Sequence, residues 1–97
     1  MKIYITETAF NSVQEIELYL LERFSERTKL KFAENIKKVF TAISCNPYIG
    51  VYYKNPYRKF IYKKSIIFYR IDEENHKIYI THVIDSRQNY NYILITI

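Results

Sequence analysis

A chain of 97 residues, 48% hydrophobic and 26% charged, has the size and balance of one globular domain and is too apolar for a disordered segment. Its net charge of +5 points modestly toward an anionic partner. One cysteine, Cys45, excludes an internal disulfide, and one glycine, Gly50, excludes a glycine-rich phosphate loop.

Ile3 and Ile5 alternate with Lys2, Tyr4 and Thr6, which predicts a short first strand. Thr6 or Thr8 can cap the helix that follows. Its apolar stripe runs through Ala9, Val13, Ile16 and Leu20 and widens at Leu21 and Phe24. The polar stretch 25–28 breaks it from a second helix carrying Phe32, Ala33, Ile36, Val39, Phe40 and Ile43. Asn46-Pro47 stops that helix, because proline disfavours helical backbone in the residue before it. Cys45, just upstream, is expected as a small buried hydrophobe. After Gly50 the pattern becomes β, with strands near 57–62, 65–71 and 77–84 and turns at Lys63–Lys64 and Asp72–His76. Two amphipathic helices so closely joined pair antiparallel. The predicted fold is α+β, a single domain over 1–97: a strand, then a helical hairpin packed on a small, mostly antiparallel sheet whose other face stays partly open. No apolar run reaches membrane-spanning length and the start is too short for a signal peptide, so the expected compartment is the cytoplasm.

Charge is unevenly spread. Residues 1–46 hold seven Lys/Arg against six Asp/Glu, and residues 47–97 hold eight against four. The run 54–64 has five basic residues and no acid. Arg58, Lys59, Lys63, Lys64 and Arg70 fall on two neighbouring strands and their turn, with Arg87 just past the last strand. Such a cluster can engage phosphates or carboxylates, and Tyr57, Tyr62 and Tyr69 can stack on bases. Lysines in a hairpin turn are equally well explained as solvated charges that protect a sheet edge. Arg70, inside an apolar strand, needs a partner: Asp72, Asp85 or a ligand.

The segments NPYIG (46–50), YRKFIYKKSIIFYRID (57–72) and IYITHVIDSRQNY (78–90), in that order behind a strand and two helices, resemble the RelE/ParE superfamily of toxins from bacterial type II toxin–antitoxin systems. Members end the second helix at an Asn/Asp-Pro step followed by a glycine. They then carry a Tyr-Arg strand, a strand ending Tyr-Arg-Ile-Asp, and a last strand leading into an Arg-containing tail. The resemblance covers nearly the whole chain. It implies a toxin with no cofactor and no metal, held in a hetero-oligomer by a cognate antitoxin whose disordered segment folds over it as a helix in a groove or a strand on a sheet edge. Tyr52, Tyr53 and the apolar end 92–97 are the surface open to that segment. Closure of the core is the simpler explanation of 92–97.

Two targets are compatible with the resemblance. A ParE-like toxin binds DNA gyrase and needs no catalytic residues; Lys59, Lys63, Lys64, Arg70 and Arg87 are then the binding groups. A RelE-like toxin cleaves mRNA on the ribosome without metal. It needs a base for the ribose hydroxyl, cations for the phosphorane and an acid for the leaving oxygen. Arg58, Arg70 and Arg87 would be the cations, Tyr90 the aromatic of the tail, and His82 or Asp85 the base. However, His82 shares a two-residue period with Ile78, Ile80 and Ile84, which turns it toward the core. The sheet half has no glutamate outside the turn at 72–75. The catalytic set is incomplete, so gyrase binding is the preferred reading. The mRNA endonuclease, or a degenerate toxin that only binds its antitoxin, is the alternative. Cys45, His76 and His82 lack the spacing of a zinc site. Every version expects Arg58, Arg70 and Arg87 to gather on one uncovered surface.

Overall fold

The computed structural model describes residues 1–88. Five strands form one sheet in the order β1-β5-β4-β3-β2. They are β1 (Lys2–Ile5), β2 (Val51–Lys54), β3 (Tyr57–Tyr62), β4 (Ser65–Asp72) and β5 (Lys77–Asp85), with helices α1 (Glu7–Arg23) and α2 (Glu26–Cys45) between β1 and β2. β1 runs parallel to β5; the other neighbours are antiparallel.

Capping chemistry sets the helix boundaries. The Thr6 hydroxyl accepts from the Ala9 N–H at 3.2 Å and donates to the Ile80 carbonyl at 3.0 Å, so one side chain starts α1 and fastens β1 to β5. Ser25 caps α2 through the Thr28 N–H. Ala9, Ile16 and Leu20 of α1 and Phe32, Ile36, Val39 and Ile43 of α2 meet Ile67, Tyr69, Ile78, Ile80 and Val83 of the sheet in the main core. The expected widening of the α1 stripe does not occur. Leu21 and Phe24 are 43% and 53% exposed: the buried stripe of α1 is the narrow line Ala9, Ile16 and Leu20. Cys45 is exposed rather than buried, being on the last helical residue and past the sheet contact.

The three predicted strands match closely, and β2 is an addition. Tyr52-Tyr53-Lys54 carries no clean alternation because its pairing with β3 shifts between Tyr52 and Lys54. A second shift alters the last strand. Phe68 pairs with His82 and Tyr69 with Ile80, so Thr81 bulges out, its hydroxyl donating to the Phe68 carbonyl at 3.1 Å. Before the bulge, Ile78 and Ile80 face the helices; after it, Val83 does, while Ile84 joins Ile66 and Phe68 in a small cluster under Tyr53 on the far face. The expectation that His82 points into the main core therefore fails. One inserted residue reverses the phase of everything after it.

Candidate functional site

Directly paired residues of neighbouring strands project to the same side, which places the basic residues. Arg58 pairs with Tyr69, a main-core residue, and so stands on the helix side of the sheet. Arg70 pairs with Tyr57 and Tyr79 on the far face. Lys59, paired with Phe68, also lies on the far face. Arg87 follows β5 at the opposite end of β4 from Arg70, five residues and about 17 Å away along the strand. The three arginines do not share a surface, contrary to the sequence-based expectation. The cause is the alternation of strand side chains together with an internal partner for two of them.

Arg58 is one of the two. The segment 46–50 after α2 folds over the Tyr69 ring, whose hydroxyl donates to the Pro47 carbonyl at 2.7 Å and accepts from the Gly50 N–H at 2.9 Å. Burial pushes the Tyr69 phenol up. Arg58 donates to the Gly50 carbonyl at 2.7 Å and lies between the rings of Tyr52 and Tyr48, at 4.3 and 5.0 Å. A Cβ at Gly50 would sit 2.7 Å from the Tyr69 hydroxyl and 3.0 Å from the Lys59 carbonyl. Gly50 is thus required by close approach, and Arg58 is a fastener of this loop. Tyr69 was expected to be free for stacking; it is fully buried, and Tyr62 packs against the same core.

The far face carries the more open chemistry. The Arg70 guanidinium lies 4.3 Å from the Tyr79 ring centre, and Tyr79 stacks on Tyr4 at 5.7 Å. Arg70 makes no ion pair among the described residues; the partner that sequence reasoning demanded is an aromatic face. Asp72 contributes only at range: its carboxyl is held low first by hydrogen bonds from Asn75 and secondarily by Arg70 and Lys77. Beside Arg70, Tyr57 meets the His82 ring edge-on at 6.5 Å, and His82 also abuts Phe68 at 6.3 Å. Burial holds the imidazole below its usual range, and its Nδ1 has no hydrogen-bond partner among the described residues. Lys59 reaches the Tyr53 ring at 5.6 Å. A depression of about 450 Å³ at this end of the sheet is bordered by Tyr48, Tyr52, Arg58, Arg70, Asp72 and Glu73. It is the one place where Arg58 and Arg70 come near each other, around the end of the sheet. Its rim is acidic as well as basic, and Tyr48 donates to Glu73 across it.

At the opposite end, the Asp85 carboxylate is fully buried and takes both Nε and Nη2 of Arg87, at 2.8 and 2.6 Å, plus the Arg87 backbone N–H at 2.9 Å. The hydrogen bonds and charge of Asp85 raise the Arg87 guanidinium further above its ordinary range. Tyr19 of α1 donates to the Arg87 carbonyl at 3.1 Å. Asp85 is therefore unavailable as a base. Lys63 and Lys64 are exposed and, with Lys31, border a second depression of about 250 Å³ next to Arg87. Lys63 holds φ 54, which supplies the left-handed residue a two-residue hairpin needs without glycine. Tyr90 and the end 92–97 lie outside the described residues. The far-face grouping of Tyr57, Arg70, Tyr79 and His82 was missed at the sequence level. It depends on the Thr81 bulge, and a polar threonine between Ile80 and His82 was its only trace.

A family model described as the ParE toxin of the type II toxin–antitoxin system parDE matches residues 3–90. Among solved structures, the chromosomal ParDE toxin–antitoxin system of P. aeruginosa superposes with a TM-score of 0.74 at 14% identity, covering 88% of this chain and 95% of that one. The RelBE2 toxin–antitoxin complex of Mycobacterium tuberculosis gives 0.63 at 18% identity, over 87% and 95% of the two chains. The isolated E. coli RelE toxin gives 0.62 at 12% identity, over 98% and 94%. No curated protein matches the sequence significantly. At these identities the structural likenesses speak for the fold alone.

Proposed function

The chain belongs to the ParE toxin family of type II toxin–antitoxin systems, and from that membership we propose that it arrests growth by binding DNA gyrase and is neutralised by a cognate antitoxin in the cytoplasm. The observation that carries the gyrase reading is the dispersal of the arginines. Cleavage of RNA by a ribose hydroxyl needs a base, an acid and cations around one phosphate. Arg58 is bound to the Gly50 carbonyl, Arg87 is bound to Asp85, and Arg70 projects from the far face, where its cationic neighbour is Lys59. A binding inhibitor needs no such convergence. Arg70, Lys59 and the exposed Lys63 and Lys64 can then meet acidic groups of the target separately. The partner is inferred likewise: ParDE and RelBE2, which share the fold, are toxin–antitoxin assemblies.

One observation favours an mRNA endonuclease as the second reading. His82, whose imidazole burial holds below its usual range, lies on the same face as Arg70, with Tyr57 beside both. A base and a cation on one surface are two of the groups that chemistry requires.

Purified protein is assayed for loss of gyrase supercoiling and, in translating extract, for mRNA cleavage. Inhibited supercoiling with intact mRNA supports gyrase binding. Cleavage abolished by Arg70→Ala and His82→Ala supports the second reading and defeats the first. Neither activity, together with retained antitoxin binding, leaves a degenerate toxin.

A further inference from the structure

Between α2 and the β3–β4 turn, the recess of about 250 Å³ is lined by cations and, among the described residues, by no carboxylate. Lys31, Phe32 and Asn35 reach it from α2, at a spacing that keeps them on one helical face. Phe32, 2% exposed, ties that face to the main core. Lys63, Lys64 and Ser65 reach the recess from the turn, and Arg87 reaches it from beyond β5.

The fold holds these groups in place without neutralising them. The turn is fastened by the Ser86 N–H, which donates to the Lys64 carbonyl at 2.7 Å. Lys63 takes φ 54, where glycine would cost less, and so brings a charge that the turn itself does not require. Arg87 is clamped to Asp85 through Nε and Nη2, which leaves Nη1 with no acceptor among the described residues. Lys31, Lys63 and Lys64 make no ion pair among the described residues. Ser65 is 3% exposed, and its hydroxyl makes no hydrogen bond among the described residues. A hydroxyl so buried ordinarily has a partner.

We propose that this recess binds the phosphate chain of a small molecule, a pyrophosphate or triphosphate group. The Lys31, Lys63 and Lys64 ammoniums and the Arg87 guanidinium repel one another around one recess and call for several negative charges close together. A phosphate chain has that density. Its oxygens also accept from the Ser65 hydroxyl and the Asn35 amide. A nucleic-acid backbone spreads its charge along its length instead. The recess stands at the opposite end of β4 from Arg70, so the inference does not depend on which target the toxin inhibits.

The test is isothermal titration calorimetry of the full chain with inorganic pyrophosphate, inorganic triphosphate and a dephosphorylated single-stranded oligonucleotide, at about 0.15 M salt. The expected result is saturable binding of both inorganic anions with Kd below about 1 mM, triphosphate being the tighter. Lys31→Glu weakens it at least about tenfold. Lys37→Glu, the same charge change at an exposed position of α2 outside the recess, alters it less than about twofold. Ser65→Ala weakens binding about fivefold or more and leaves the Tm of the protein alone unchanged. No saturable binding of either anion overturns the inference. So do equal losses in Lys31→Glu and Lys37→Glu, which mean attraction to overall charge, or a Ser65→Ala variant that binds like the parent. Oligonucleotide binding that is lost in Lys31→Glu, with none of pyrophosphate or triphosphate, assigns the recess to a nucleic-acid backbone and likewise refutes the small-molecule ligand.

Discussion

Arg87→Ala tests whether Arg87 serves the fold rather than a target. The substitution removes two charge-assisted hydrogen bonds, at 2.8 and 2.6 Å, from a carboxylate with no solvent exposure. Removing one partner of a buried pair costs about 3–5 kcal/mol because the remaining charge is stranded. Here the lower end applies: the Arg87 backbone N–H still reaches Asp85, and the Arg87 side chain is 21% exposed. About 3 kcal/mol corresponds to a fall in Tm of roughly 12–24 °C in a domain this size. Chemical denaturation of Arg87→Ala, Asp85→Leu and Asp85→Leu/Arg87→Leu separates the terms. The double variant should recover most of the loss, since an apolar pair leaves nothing uncompensated. A loss under about 1 kcal/mol for Arg87→Ala, or a double variant as unstable as the single, would refute the assignment. The result also governs functional assays: lost toxicity in Arg87→Ala has to be divided by the amount of folded protein.

Gly50→Ala drives a methyl group into the Tyr69 ring and should lower stability by about 1–3 kcal/mol, read from urea midpoints. Tyr69→Phe leaves the Gly50 N–H and Pro47 carbonyl without their partner, with a similar loss of about 1–3 kcal/mol. The folded pKa of His82 is depressed, so below about pH 6.5 the unfolded chain binds the extra proton and stability falls as pH drops. Unfolding free energies at pH 7 and pH 5 should converge in His82→Phe, and an unchanged slope would show that other groups cause it. Lys63→Gly relieves the φ 54 of a side-chain-bearing residue and should be neutral or raise stability by up to about 1 kcal/mol in thermal melts.

Most of the architecture was legible because each element carried its own punctuation. Thr6 marks a helix start, the polar stretch 25–28 marks the break between the helices, Asn46-Pro47 marks a helix end, and the Ile/Tyr/Phe alternation of 57–72 fixes β3 and β4. The site was less legible, because convergence is a property of register. An arginine in a motif such as Tyr57-Arg58 reads as surface charge, yet Arg58 spends its guanidinium on a main-chain carbonyl and two aromatic rings. Arg87 was matched to a role in the tail, and the carboxylate two residues before it was offered as a separate base. Nothing in the spacing Asp85-Ser86-Arg87 announces that the two close on each other. Exposure of Cys45, Leu21 and Phe24 was also hidden, since helical periodicity gives a direction and not the width of the surface it meets.

The extra residue at Thr81 sets how this protein can vary in length. Removing Thr81 itself would put Ile80 and His82 in ordinary alternation and leave Val83 and Asp85 on the helix side and Ile84 on the far face. A lineage could lose that one codon and keep both faces of the sheet, whereas a codon lost elsewhere in this final strand would shift the alternation and undo both together.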